Sequence, residues 1–181
     1  MQQQQFYQEI YYDKSLLKIW KKLNNGCFIG KLGYSLENAK TLMILLKSFE
    51  EQYGEIIDIE AAKEELALYQ ERGKLFIYFN QDMIPVSMNG IIYDEDNVSV
   101  DFKKADGTIP KILYFYGLST VPTFRGNGAC SELVNFAIKY AMFNNFDLVY
   151  ARTDLKNSNS EHIMQKAGLK ICQYDGMIIA E

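Results

Sequence analysis

Two hydrophobic periods divide this chain. Between Ser35 and Gly54 the apolar residues Ala39, Leu42, Met43, Leu46, Phe49 and Tyr53 fall three or four apart, the spacing of one helix face. Ser35 stands before them as a start and Gly54 after them as a stop. A second helix is predicted from Asp58, with Ile59, Ala62, Leu66 and Tyr69 on one face and Gly73 at its end. Its acidic residues Glu60, Glu64 and Glu65 read as a solvated face. Asp13 is placed to cap another helix over Leu16, Ile19, Trp20 and Leu23, ended by Asn24-Asn25-Gly26. The other period is that of strands. Cys27 to Leu32, Lys74 to Asn80, Ile84 to Tyr93, Lys111 to Thr120 and Asp147 to Thr153 are short runs rich in β-branched and aromatic residues. Leu169 to Tyr174 and Met177 to Ala180 form a terminal hairpin around Asp175-Gly176. Asn89-Gly90 marks a bulge or a second turn inside its run, and Asp94 to Gly107 reads as a long loop or an extra hairpin. Gln2 to Gln5 is a frayed, low-complexity end.

The stretch from Leu118 to Val134 joins the two periods. Its strand stops at Pro122, which has no N–H to give a ladder. Helical spacing begins at Leu133 and continues through Val134, Ala137, Ile138, Ala141 and Met142. Between them lies Arg125-Gly126-Asn127-Gly128-Ala129-Cys130. The glycines let a ligand approach the backbone, and the first turn of the helix points unpaired N–H groups at the same place. With Arg125 and the positive end of the helix dipole, they make a seat for a phosphate or pyrophosphate. A tight strand-to-helix turn with no ligand fits the same residues when the loop is taken alone. No Lys-Ser or Lys-Thr follows Gly128, so this is not a Walker loop, and the spacing is not the dinucleotide GxGxxG.

Composition narrows the function further. At 181 residues the chain has room for one domain with a full core. A formal charge of −4 argues against general nucleic-acid binding, which needs clustered Lys and Arg. No apolar run approaches the length of a membrane span and no signal-peptide pattern is seen, which points to the cytoplasm. The three cysteines, Cys27, Cys130 and Cys172, are scattered, and His162 is the single histidine, so metal ligation and a Ser-His-Asp triad have little to work with.

A second motif follows Thr153. Asn157 is followed three residues later by Ser160 and eleven later by Gly168-Leu169, and Ser158 with Glu161 has the spacing of a capping box. Taken with Leu118 to Gly128, this pattern resembles the GNAT superfamily of acetyl-CoA-dependent N-acyltransferases. The first signature of that family centres on Arg/Gln-x-x-Gly-x-Gly/Ala, and the second runs from an Asn through a short helix to Gly-Phe. The resemblance covers Cys27 to the C-terminus and is strongest from Lys111 onward. It implies an α/β (α+β) fold, with a mixed, mostly antiparallel sheet of six or seven strands and about four helices. Residues 1–26 are expected to be a helical extension and 27–181 the single acyltransferase domain.

The resemblance also implies a chemistry. Acetyl-CoA would lie in a V-shaped gap where the strand ending at Thr120 parts from Asp147 to Thr153. Leu118, Ser119 and Thr120 would pair with the pantetheine arm, and Asn157 and Ser160 would flank it. The pyrophosphate would rest on Arg125, Gly126, Asn127, Gly128, Ala129 and Cys130. An amine of a small molecule or peptide would attack the acyl carbonyl directly, with no metal, and with a general base or a water chain to deprotonate it. Tyr114, Tyr116 and Asp154 are the base candidates; a core aromatic or a surface acid is the plainer reading of each. His162 reads as an exposed helix residue and Glu132 as a favourable charge at a helix start. Two departures stand out. Cys130 replaces a small loop residue and reads as a structural thiol. Met164 occupies the position where many members carry a Tyr that protonates the leaving thiolate, and methionine has no proton to give. A weak or inactive module that binds acyl-CoA and acts through protein interaction is therefore the alternative, and an unrelated nucleotide binder a third reading. Acceptor selection is expected in the helices between Ser35 and Gly73 and in Asp94 to Gly107. The net charge suits a cationic acceptor without selecting one, and exposed strand edges are compatible with a homodimer.

Overall fold

The computed structural model describes residues 12–54, 56–94, 104–153, 157–174 and 177–180, with the backbone alone for 48–53, 171–174 and 177–180. Eight strands form one sheet: β1 Leu17–Lys22, β2 Phe28–Leu32, β3 Gly73–Phe79, β4 Pro85–Asp94, β5 Ile112–Thr120, β6 Leu148–Thr153, β7 Ile171–Tyr174 and β8 Met177–Ala180. The order across the sheet is β1-β2-β3-β4-β5-β6-β8-β7. Only β5 and β6 run parallel, joined by a crossover through a helix. Four helices accompany it: α1 Leu36–Tyr53, α2 Ile59–Arg72, α3 Ala129–Phe143 and α4 Ser158–Lys166. Among the described residues, no helix is long and apolar enough to cross a membrane.

Helical spacing is matched by burial in α1 to α3. Ala39, Leu42 and Leu46 of α1 and Ala62, Leu66 and Tyr69 of α2 are buried, covering one face of the sheet. Asp58 caps α2 by accepting the N–H of Ala61 at 2.9 Å. Leu133, Val134, Ala137 and Ala141 seat α3 on the opposite face, while Met142, assigned to the same stripe, is exposed. Phe49 and Tyr53 lie outside the described side chains.

The predicted N-terminal helix is a strand. Asp13 does act as a cap, but of the three-residue 3-10 turn Lys14–Leu16, after which β1 pairs antiparallel with β2. Its register slips between Ile19 and Lys21, leaving Trp20 as an extra residue. That bulge breaks the alternation of a strand and produces the three-and-four spacing that imitates a helix face. Trp20 packs against Phe76 and Phe136, with ring centroids 5.1 and 6.0 Å away, and against Tyr140 at 5.8 Å. Each such aromatic pair adds about 0.5–1.5 kcal/mol beyond its buried area.

A second bulge shapes the centre. Gly90 pairs with Gly117 and Ile91 with Phe115, so the extra residue is Tyr116, on β5 and not in the Asn89-Gly90 run of β4. Tyr116 stands across from the slip, and the facing of β5 reverses there. Before it, Tyr114 stacks on Tyr150 of β6; beyond it, Gly117 and Ser119 face α1 and α2 while Thr120 faces α3. Gly90 has a steric reason to be glycine. A Cβ there would lie 2.1 Å from the Tyr69 hydroxyl oxygen.

Candidate active site

Parallel pairing between β5 and β6 ends at Phe115 and Ala151. Beyond that point the strands separate, and a cleft of about 1130 Å³ opens between them, lined by Phe115 to Thr120, Ala151 to Thr153, the glycine loop and α4. The backbone of β5 faces this gap in a definite pattern. Val121 donates its N–H to Val86 on the β4 side, and Ser119 turns its carbonyl the same way, to the Ser87 hydroxyl. Strand alternation therefore sends the N–H and C=O of Leu118 and Thr120 into the gap, where the neighbouring strand is missing. The Thr120 carbonyl confirms the direction by accepting from Arg125 Nε at 3.3 Å. Ser119, grouped with them in the sequence reading, is instead buried, its hydroxyl donating to the Leu45 carbonyl. Across the gap, Thr153 Oγ1 is buried without a hydrogen-bond partner among the described residues.

At the wide end the chain enters the 3-10 turn Pro122–Phe124 and then the loop. Gly126 and Gly128 have φ of 81° and 79°, a left-handed backbone that favours glycine. Gly128 is itself the N-cap of α3, and no side chain caps that helix. Its first-turn N–H groups are thereby left to a ligand. Arg125, Gly126, Gly128, Ala129 and Cys130 line the cleft, as does Ser131. Asn127 does not; its amide donates to the carbonyls of Phe124 and Arg125 at 3.1 and 3.4 Å, folding the loop on itself. Burial pushes the Cys130 thiol up, and its sulfur sits 2.9 Å from the Thr120 hydroxyl, which is the setting of a structural thiol.

Helix α4 closes the side. Its cap is Asn157 rather than Ser158, because Asn157 Oδ1 accepts the Ser160 N–H at 3.2 Å. Both residues line the cleft. Asn157→Asp separates capping from ligand contact, since the carboxylate still caps while the amide donor is gone. We expect helix content and melting to be retained, and acetyl-CoA affinity, read by calorimetry, to fall about tenfold for one lost hydrogen bond. Met164 is buried and also lines the cleft, and His162 is exposed on its rim. Glu132 forms a surface pair with Lys21 at 3.6 Å.

Among the base candidates, Tyr116 lines the cleft and is 48% exposed, whereas Tyr114 stands behind it, ring edge toward ring at 5.9 Å. Burial pushes the Tyr114 phenol up despite the nearby positive charge of Arg152, which keeps it protonated at neutral pH. Asp154 lies outside the described residues. Glu65 departs from the solvated face to which its helix position assigns it. Instead of facing solvent, it lines the cleft and accepts the Tyr69 hydroxyl at 2.5 Å. Its position four residues before an inward-facing Tyr was the available signal.

The Acetyltransferase (GNAT) family model matches residues 47–169. The chain belongs to the GNAT acetyltransferase family. This acetyltransferase also shares its fold with solved members. It resembles AAC(6')-Iy, solved with a CoA-S-monomethyl-acetylneamine bisubstrate analogue, at 14% identity and a TM-score of 0.63, covering 82% of this chain and 93% of that one. It resembles Arabidopsis thaliana NAA60, solved with acetyl-CoA, at 11% identity and a TM-score of 0.65, covering 85% and 97%. The NatC complex bound to Gag peptide and CoA contains a chain at 18% identity and a TM-score of 0.58, covering 84% and 94%. None of the curated proteins matches the acetyltransferase in sequence.

Proposed function

We propose that this protein transfers the acetyl group of acetyl-CoA directly to a primary amine of a small molecule or peptide. The observation that carries the reading is the open edge of β5 beside an uncapped helix start, because the two offer different chemistry at the two ends of one cleft. Acetyl-CoA fits both. Its amide-bearing pantetheine arm suits the N–H and C=O of Leu118 and the N–H of Thr120, with the Thr153 hydroxyl and the Asn157 amide on the other wall. Its pyrophosphate suits the N–H groups of residues 128–131 and the Arg125 charge. Asn127 and Ser119 act in this reading as supports for the loop and the strand. A backbone N–H of β5 next to the bulge would polarise the acyl carbonyl, so that attack needs no covalent enzyme intermediate.

A second reading is supported by Met164. A module that binds acyl-CoA but lacks an acid for the thiolate would act through protein interaction instead. One experiment separates the two. Acetyl-CoA, CoA and ATP are titrated calorimetrically, and a panel of amines and short peptides is then incubated with acetyl-CoA and read by mass. We expect both CoA species to bind, ATP to bind far more weakly, and at least one amine to gain an acetyl group. Binding without transfer to any acceptor would favour the module, and preference for ATP would overturn both.

A further inference from the structure

The described part of the cleft ends, beyond the Tyr116 bulge, against α2, and there a carboxylate is held in an arrangement that packing alone does not require. Tyr69 and Glu65 lie one turn apart on α2. Tyr69 is fully buried, wedged where Gly90 and Gly117 have no side chains, and its hydroxyl donates to Glu65 Oε1. This fixes the carboxylate over Gly117, with Oε1 3.7 Å from the place a Cβ there would occupy. Gly117 follows the bulge and precedes Leu118, so the carboxylate stands over the point where β5 begins to face the gap.

Three further facts concern what the carboxylate meets. Burial pushes the Glu65 carboxyl above the usual carboxylate range, against the downward pull of the Tyr69 hydrogen bond. Among the described residues no cationic side chain pairs with it. A carboxylate taken out of water without a counter-charge is costly, and an incoming cation relieves that cost. The walls suit such a visitor: Tyr116 lies edge-on to Tyr69 at 6.1 Å, and Leu46 and Ile57 also line the cleft. Tyrosine faces attract ammonium groups, and aliphatic walls suit an alkyl stem. The titratable groups around Glu65 are Tyr69 on α2 and Tyr116 and Tyr114 on β5, with Arg152 lining the cleft from β6.

We propose that Glu65 is the acceptor subsite of this enzyme: it receives the ammonium of a primary alkyl amine at the Tyr116 bulge and takes its proton. The transfer step rests on the acetyl-CoA reading above; the amine site does not. The ammonium gives one proton to the Glu65 carboxylate, and the freed nitrogen pair forms a bond to the thioester carbonyl carbon. The C–S bond then breaks with its electron pair going to sulfur. The second proton lost by nitrogen passes through water to the thiolate, which leaves as CoA-SH, and Glu65 returns its own proton to solvent. Glu65 is thus a catalytic residue, and Tyr69 a positioning residue that acts through it.

The test uses the full chain as wild type, Glu65→Gln and Tyr69→Phe, with acetyl-CoA affinity and melting temperature as checks on the cofactor site and the fold. The first arm is independent of turnover: n-butylamine is titrated into the CoA-bound protein by calorimetry. We expect binding in the wild type and a loss of about tenfold or more in Glu65→Gln, with CoA affinity unchanged. Absence of amine binding in the wild type, or equal binding in both, overturns the subsite. The second arm uses the best amine from the panel. Glu65→Gln should lower kcat/KM by about 10²–10⁴-fold, and Tyr69→Phe should move the acid limb of the pH profile upward, because the bond that lowers the Glu65 pKa is gone. Full activity in Glu65→Gln overturns the base while leaving acetyl transfer intact. Amine binding lost in Glu65→Gln without wild-type transfer to any acceptor would instead uphold the subsite and count against the transferase reading.

Discussion

Gly128→Glu is expected to abolish useful acetyl-CoA binding while leaving the protein folded. Gly128 sits at φ 79° as the N-cap of α3 with nothing within 4 Å of a Cβ, so the substitution meets no steric wall. It has two other costs. A left-handed backbone costs a non-glycine residue roughly 1–2 kcal/mol. The new carboxylate also stands at the helix start where a pyrophosphate would rest, turning attraction into like-charge repulsion. The backbone cost falls on stability, while the like-charge juxtaposition, worth several kcal/mol, predicts a loss of affinity of at least about a hundredfold, since each 1.4 kcal/mol is tenfold. Gly26→Glu is the control. Gly26 has the same φ of 79° but lies in the turn between β1 and β2, away from the cleft. It should show the backbone cost in melting temperature with acetyl-CoA affinity unchanged. Equal affinity in Gly128→Glu and wild type would remove the phosphate seat from the molecule.

Gly90→Ala is expected to be strongly destabilising for the addition of one methyl group. Its Cβ would lie 2.1 Å from the Tyr69 oxygen and 2.2 Å from Cζ, and the ring is fully buried with no room to retreat. Overpacking of a filled core commonly costs about 1–3 kcal/mol, and displacing this ring also detaches its hydrogen bond to the half-buried Glu65, so we expect about 3 kcal/mol or more. For a chain of this size that is a fall of about 6–12 °C in melting temperature. Tyr69→Ala alone leaves a cavity and should cost a comparable amount. Combined, the two should destabilise by clearly less than their sum, because the alanine then enters the space that the ring vacated. Strict additivity, measured by denaturant melts of the four proteins, would show that the contact is not what makes Gly90 a glycine.

The chemistry-bearing half of the fold was the most legible in sequence. Pro122, the glycines at 126 and 128 and Asn157 are local punctuation, and local rules read them correctly down to the strand, the loop and the short helix. Long-range effects were harder to see. The spacing of Leu16, Ile19, Trp20 and Leu23 is the same for a helix and for a strand bulged at Trp20; only the partner strand and the aromatic rings of Phe76, Phe136 and Tyr140 decide between them. Asn89-Gly90 reads as a bulge or a second turn because glycine marks both, but Gly90 answers to Tyr69 and the extra residue is Tyr116, on the neighbouring strand. Ser158 reads as the cap from its capping-box spacing with Glu161, whereas the cap is Asn157, whose side-chain oxygen accepts the Ser160 N–H. Among the acidic helix residues, Glu65 is marked only by standing four residues before the inward-facing Tyr69. Its burial follows from α2 packing against β3 and β4, which the helix's own sequence does not encode.

Trp20 is the only tryptophan in the chain, and it is locked between α3 and the far strands of the sheet, away from the cleft residues. Its emission therefore works as a built-in optical gauge of whether the sheet's outer edge is docked. A titration that saturates the cleft should leave that signal flat, while unfolding of β1 should shift it to the red. Occupancy and structural integrity can thus be followed in one cuvette, by absorbance of the cosubstrate and by the light of a single indole.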